Sequence, residues 1–133
     1  VDYTSTILDF AGIKVPNEMQ GLSFKGLLEG KKAKELRKAS FYAFYSNGTP
    51  KHYGIRTREH KLLKYVDKQG EVVGADLFDL SSDPNELKSL YNNSDYASLQ
   101  DKMERLLQEE MKKIAIEPGQ LPGKHPQKTE ELK

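Results

Sequence analysis

Lys51 and His52 follow the turn signal Asn47-Gly48-Thr49-Pro50, where a loop would present an ammonium and an imidazole to an anionic ligand. The stretch HYGIRTREHKLLKYV, residues 52–66, then alternates strand-forming residues with Arg, Lys and His. Arg56, Lys61 and Lys64 would lie on adjacent strands, close enough across the ladder to make an anion-binding face. The same pattern is that of a solvated hairpin, because the outward side chains of half-buried strands are often basic. Taken alone, the stretch leaves both readings open.

Catalysis would need convergent groups: a nucleophile beside a base, paired carboxylates, or three or four metal ligands. None occurs with motif spacing. His52, His60 and His125 stand in no HxH or HExxH relation, so no metal site is expected. Asp79 and Asp83 are close in LFDLSSDP, but a strand end followed by a helix N-cap accounts for both. The absence of cysteine excludes disulfides, thiolate metal sites and a Cys nucleophile. Two sequons, Asn47-Gly48-Thr49 and Asn92-Asn93-Ser94, double as turn chemistry. No catalytic residue, metal or cofactor is therefore expected within the chain.

With 21 basic and 20 acidic residues, the net charge of +1 gives no global attraction to nucleic acid or an anionic membrane. Tyr53 and Tyr65 lie near the basic residues without forming an interleaved stacking platform, so nucleic acid is not an expected partner. No apolar run approaches the roughly 20 residues of a membrane helix, and VDYTSTILDFAG lacks a basic region followed by an apolar one. A chain that opens on Val is expected to be a processed product or a piece of a longer one, and its compartment stays open.

The elements that must position Lys51 and His52 follow from periodicity. A chain of 133 residues fits one domain, with a modest core at 36% hydrophobic residues and a mean hydropathy of −0.75. Asp2 is expected to cap a short helix through Ala11, with Gly12 as its stop. Ser23 is expected to cap a second, FKGLLEG, ending at Gly30, and KKAKELRKAS reads as a solvated connector or helix turn. Four strands are expected at 40–46, 53–57, 61–67 and 72–80, connected closely enough to make an antiparallel sheet. Asp83, Pro84 and Glu86 predict a helix start with a capping box. From 95 to 114, Leu99, Met103, Leu106, Leu107 and Ile114 share one helical face, which predicts a long helix covering one side of the sheet. Residues 115–133, with Pro118, Pro122 and Pro126, read as an extended or disordered tail.

The order of these pieces resembles the C-terminal region of type I sulfatases, in the alkaline-phosphatase-like hydrolase superfamily. A family helix of the form D-x-x-P-T-[IL]-L-D-[LF]-A-G-[IV] is matched by Asp2, Thr6, Ile7, Leu8, Asp9, Phe10, Ala11, Gly12 and Ile13. The pattern G-x-S-[LF]-x-P-L-L-x-G is matched by Gly21, Ser23, Phe24, Leu27, Leu28 and Gly30. Next, G-[VI]-R-T-x-x-x-K-[LI] falls on Gly54, Ile55, Arg56, Thr57, Lys61 and Leu62, and L-[YF]-D-L-x-x-D-P-x-E on Leu77, Phe78, Asp79, Leu80, Asp83, Pro84 and Glu86. Ser5 and Gly26 replace prolines common in the family, and Ser89 an Asn, changes that touch local turns.

The resemblance implies an α+β chain: a small four-stranded antiparallel sheet packed by a long C-terminal helix, preceded by short helices from the end of an alkaline-phosphatase-like domain. It divides the chain into 1–38, a remnant of the catalytic domain; 39–114, the C-terminal subdomain; and 115–133, the tail. The family's C/S-x-P-x-R motif, which yields formylglycine, and its Ca²⁺ ligands are absent here, so the chain alone is expected to be catalytically incompetent. The implied partners are the N-terminal catalytic domain of an exported parent and a sulfated saccharide, touched through Lys51 and His52. Arg56 and Lys61 then become structural ion-pairing residues. A stand-alone glycan-binding module, or the same subdomain in a phosphatase or phosphonate hydrolase, are the alternatives.

Overall fold

The computed structural model describes residues 1–31, 37–45 and 50–123, in two compact units, Val1–Lys38 and Ala39–Lys133. The connector at 32–36, the turn at 46–49 and the tail at 124–133, with His125, lie outside the described residues.

The first unit holds α1 (Asp2–Phe10) and α2 (Lys25–Leu28). Both helices end as their glycines predict. Gly12 and Gly30 have φ of +71°, and the Ile13 and Lys31 amides donate back to Leu8 O and Gly26 O, closing Schellman turns. Asp2 is not the N-cap that was expected. Its Oδ1 accepts from the Leu22 amide at 2.8 Å and pairs with the Arg37 guanidinium. Ser5 and Thr6 are buried because they reach across to the 21–24 segment: Ser5 Oγ donates to Gly21 O at 2.9 Å, and Thr6 Oγ1 accepts from the Phe24 amide at 3.1 Å. Ser23 Oγ donates to Asp9 Oδ2 at 2.5 Å. Asp2, Thr6, Asp9, Gly21 and Ser23 therefore serve packing. Ile7, Phe10 and Leu27 stay about half exposed or more.

The second unit is the sheet β1 (Ser40–Phe44), β2 (Lys51–Arg56), β3 (His60–Val66) and β4 (Val72–Asp79), in spatial order 1-2-3-4 with every pair antiparallel. Short turns fix its register. Thr57 Oγ1 accepts from the Glu59 and His60 amides to close the β2–β3 turn, and Asp67 Oδ1 accepts from Gln69 and Glu71 before Gly70, at φ +81°, turns the chain into β4. The helix α3 (Ala97–Lys113) crosses one face. Its Met103 and Leu107 meet Tyr53, Ile55, Leu62, Val66 and Leu77, most of them fully buried. Lys64 pairs with Glu104 of α3 at 2.6 Å, with both side chains mostly covered. The expected sheet under a long helix is thus the architecture observed.

Two segments differ from the sequence reading. No helix starts at Asp83: its carboxylate does accept the Lys88 amide at 2.9 Å, but Glu86 sits at φ +56° and points to basic residues of the sheet instead of reaching back as a capping box. A residue in the left-handed region cannot continue a helix. Residues 115–123, read as the start of an extended tail, instead fold back: Pro118–Gln120 form a 3₁₀ turn closed by a Glu117–Gln120 capping box. Leu121 packs against the core, Pro122 is fully buried, and Tyr45 Oη donates to Gln120 O at 2.5 Å.

Candidate functional site

Lys51 and His52 are the first two residues of β2, not members of the preceding loop. Consecutive strand residues face opposite ways, which separates them. Lys51 pairs with Val66 and shares the side of Tyr53 and Ile55, which is the side covered by α3. His52 lies on the other face, which is open only in part, since Leu63 and Phe78 on that side are buried. The two therefore do not converge on one point of the sheet surface.

On the face of His52, the pairing register builds rows across the strands. Phe44, His52, Tyr65 and Gly74 are successive cross-strand partners and form the outermost row. The Phe44 and His52 rings stack at 5.2 Å and 25°, and His52 stands 5.8 Å from the Tyr65 ring. Behind them Tyr42 meets His52 edge-on at 6.1 Å, across from Gly54. The third row carries Arg56 and Lys61, both paired with Glu86 from the segment after β4. The two cations share this one carboxylate, Lys61 in the more covered pair and Arg56 half exposed, so part of the basic hairpin's charge holds structure. His52 Nδ1 lies 2.9 Å from Pro50 O, which it meets as a donor, so Nε2 can donate to an anionic ligand only in the imidazolium form.

Tyrosines tune the electrostatics. Burial, then the charge of Glu86, pushes the Tyr42 phenol well up, and its hydroxyl is buried without a hydrogen-bond partner among the described residues. Tyr65 is pushed up to about 12, first by burial and then by donating to Asp76 Oδ2 at 2.8 Å. A raised folded pKa means the native state holds its proton more tightly than the unfolded chain. The stability this contributes is complete below pH 10, the ordinary tyrosine value, and is lost as pH rises through about 12. Urea midpoints should therefore fall across that alkaline window, and Tyr65→Phe should flatten the fall; an unchanged alkaline limb would remove Tyr65 as its source.

Among the described residues, no three His, Cys, Asp or Glu side chains stand together to hold a metal ion. Asp79 and Asp83, once explained as strand end and cap, have lowered pKa values because backbone and side-chain donors of the following turns point at them. Sequence reading missed Tyr42, Phe44 and Tyr65 as members of the site. The signal was present in SFYAFYS, whose period of two places Tyr42 and Phe44 on one face, but only the register adds Tyr65.

Residues 1–113 match the family described as N-sulphoglucosamine sulphohydrolase, C-terminal. The N-acetylglucosamine-6-O-sulfatase of Bacteroides thetaiotaomicron is 36% identical over 118 residues, covering 84% of this chain and 21% of that protein. An arylsulfatase of Clostridium perfringens is 32% identical over 110 residues, 83% of this chain and 22% of its own length. In structure, a protein solved in complex with its substrate D-glucosamine-2-N,6-O-disulfate superimposes with a TM-score of 0.76 at 33% identity, covering 86% of this chain and 24% of the other. The chain thus spans about a fifth of the length of these curated relatives.

Proposed function

The chain belongs to the N-sulphoglucosamine sulphohydrolase C-terminal family, and on that premise we propose that it serves a sulfuric ester hydrolase acting on sulfated glycans, bracing the catalytic domain and completing its substrate cleft. The family match over residues 1–113 carries this reading. In it, residues 1–38 finish the catalytic domain, 39–114 form the subdomain, and the N-terminal catalytic domain of the same polypeptide is the partner. Formylglycine and Ca²⁺ belong to that domain, where they would supply attack on sulfur and stabilisation of the sulfate oxygens. This chain offers neither a Cys/Ser-x-Pro-x-Arg motif nor, among the described residues, a metal-ligand cluster. Its share is recognition: His52 at the outer row of the face opposite α3, and Lys51 around the strand end, contact the anionic saccharide.

The opposite facing of the two residues makes this testable. In the sulfatase-length protein, His52→Ala should raise KM for a sulfated glucosamine about tenfold with little change in kcat, the loss of one charge-assisted contact. Lys51→Ala should act independently, so the double variant shows additive effects. Strong coupling between the two would mean that both grip one sulfate, against the geometry. Reading the frame upstream of Val1 tests the premise: a C/S-x-P-x-R motif is expected, and a phosphatase-type nucleophile in its place would move the subdomain to a different hydrolase.

A further inference from the structure

We infer that residues 117–123 form a strap that positions the Lys51 ammonium for the anionic saccharide, which makes Tyr45, Gln120 and Gly123 positioning residues for substrate binding. The inference rests on the function proposed above and deepens it at Lys51. The strap lies past residues 1–113, the span of the family match. Both of its ends are fixed. At one, Tyr45 Oη, just beyond β1, donates to Gln120 O at 2.5 Å, and the Glu117–Gln120 capping box holds that turn together. At the other, Gly123, with φ +90°, lies so close to the β3–β4 turn that a Cβ would stand 2.5 Å from Asp67 O and 2.7 Å from Gly70 Cα.

The sheet topology puts Lys51 between those two anchors. In an antiparallel sheet of spatial order 1-2-3-4, β1 and β3 end where β2 and β4 begin, at one edge. A segment running from Tyr45 to the Asp67–Gly70 turn therefore crosses the start of β2, which is Lys51. It crosses on the side that Lys51 faces, because Leu121 packs against the core under α3 and Pro122 is fully buried. Lys51 itself is half-buried, and its cross-strand partner Val66 belongs to that core. A lysine stem has among the largest rotamer freedom to lose when its ammonium is held by a ligand. A wall along the stem removes part of that freedom beforehand, so the ammonium meets an anion at lower entropic cost.

Two measurements test the strap. In NMR of the 133-residue chain, nuclear Overhauser contacts are expected from the Lys51 Hε protons to the Leu121 methyls or the Pro122 ring. Gly123→Ala, which lifts the end of the strap off the turn, should abolish them while contacts between Leu62 and Leu107 persist. In the sulfatase-length protein turning over D-glucosamine 6-sulfate, Tyr45→Phe and Gly123→Ala should each raise KM about threefold at unchanged kcat. Neither should raise it further in a Lys51→Ala background, the coupling that a merely structural role would not produce. Absence of the Lys51 contacts in the parent chain overturns the strap and leaves the Lys51–saccharide contact standing. KM rises that persist without Lys51 overturn the positioning role, since the strap then supports the fold at large. If the NMR contacts are present but Lys51→Ala leaves KM unchanged, the saccharide contact proposed above is what fails, and the positioning role falls with it.

Discussion

Gly54→Ala destabilises the sheet by about 3 kcal/mol, a loss that a urea titration of the purified chain would register as a large drop in midpoint. A Cβ built at Gly54 would lie 2.1 Å from Leu62 O and 3.0 Å from Tyr42 Oη. The first of these is backbone in the neighbouring strand of the central β2–β3 pair, so relief requires the ladder itself to move. Ladder movement is costly here because Ile55 and Leu62, flanking the clash, are fully buried in the core and fix the register. Gly74 provides the control. A Cβ there meets only the Tyr65 Cδ2 at 3.7 Å, ordinary contact, so Gly74→Ala should change stability by no more than about 0.5 kcal/mol. If both substitutions cost the same small amount, strands β2 and β3 are freer to separate than their packing implies.

Leu107→Ala is the second large effect, expected at about 4 kcal/mol. Leu107 is fully buried and joins α3 to the face formed by Ile55, Leu62 and Leu77. The truncated side chain leaves a void that the sheet cannot collapse into, since its backbone is held by hydrogen bonds on both sides of the central strands. Leu106, which only borders the core, should cost clearly less on truncation. Equal losses at the two positions would place the helix in a different rotation from the one described. Both tests can be read by the same denaturation curves, with unchanged slope confirming that the unfolded reference has not shifted.

Much of this architecture could be read from residue spacing. The 3.6-residue period of Leu99, Met103, Leu106 and Leu107 is strong, and the four strands are bounded by Gly, Asn and Asp turns that act locally. What could not be read depends on partners distant in sequence. Asp2 looks like a cap until the Leu22 amide and Arg37 claim its carboxylate. Glu86 looks like a capping-box acid, yet Lys61 and Arg56 draw it to the sheet, and the left-handed backbone there is invisible in composition. Pro118 and Pro122 suggested an unstructured tail, yet Tyr45 Oη on Gln120 O and the core against Leu121, both supplied from far upstream, hold the segment down, and Pro122 is buried. For the site, the type of residue at Lys51 and His52 was informative and their facing was not, because extending β2 back to Lys51 sets the alternation that parts them.

The closing segment also bears on how the chain acquires its fold during synthesis. All four strands pair with sequence neighbours, so the meander can zip up as soon as Asp79 has emerged. Its apolar face, however, waits for Met103 and Leu107, and then for Leu121. At ribosomal speeds that interval is on the order of seconds. Over that time a nascent sheet with two free edges and a greasy side is the species a chaperone would meet. Leu107 and Leu121 therefore act as the latch of the folding reaction, and a ribosome stalled before Leu107 would leave an aggregation-prone sheet rather than a smaller version of the same unit.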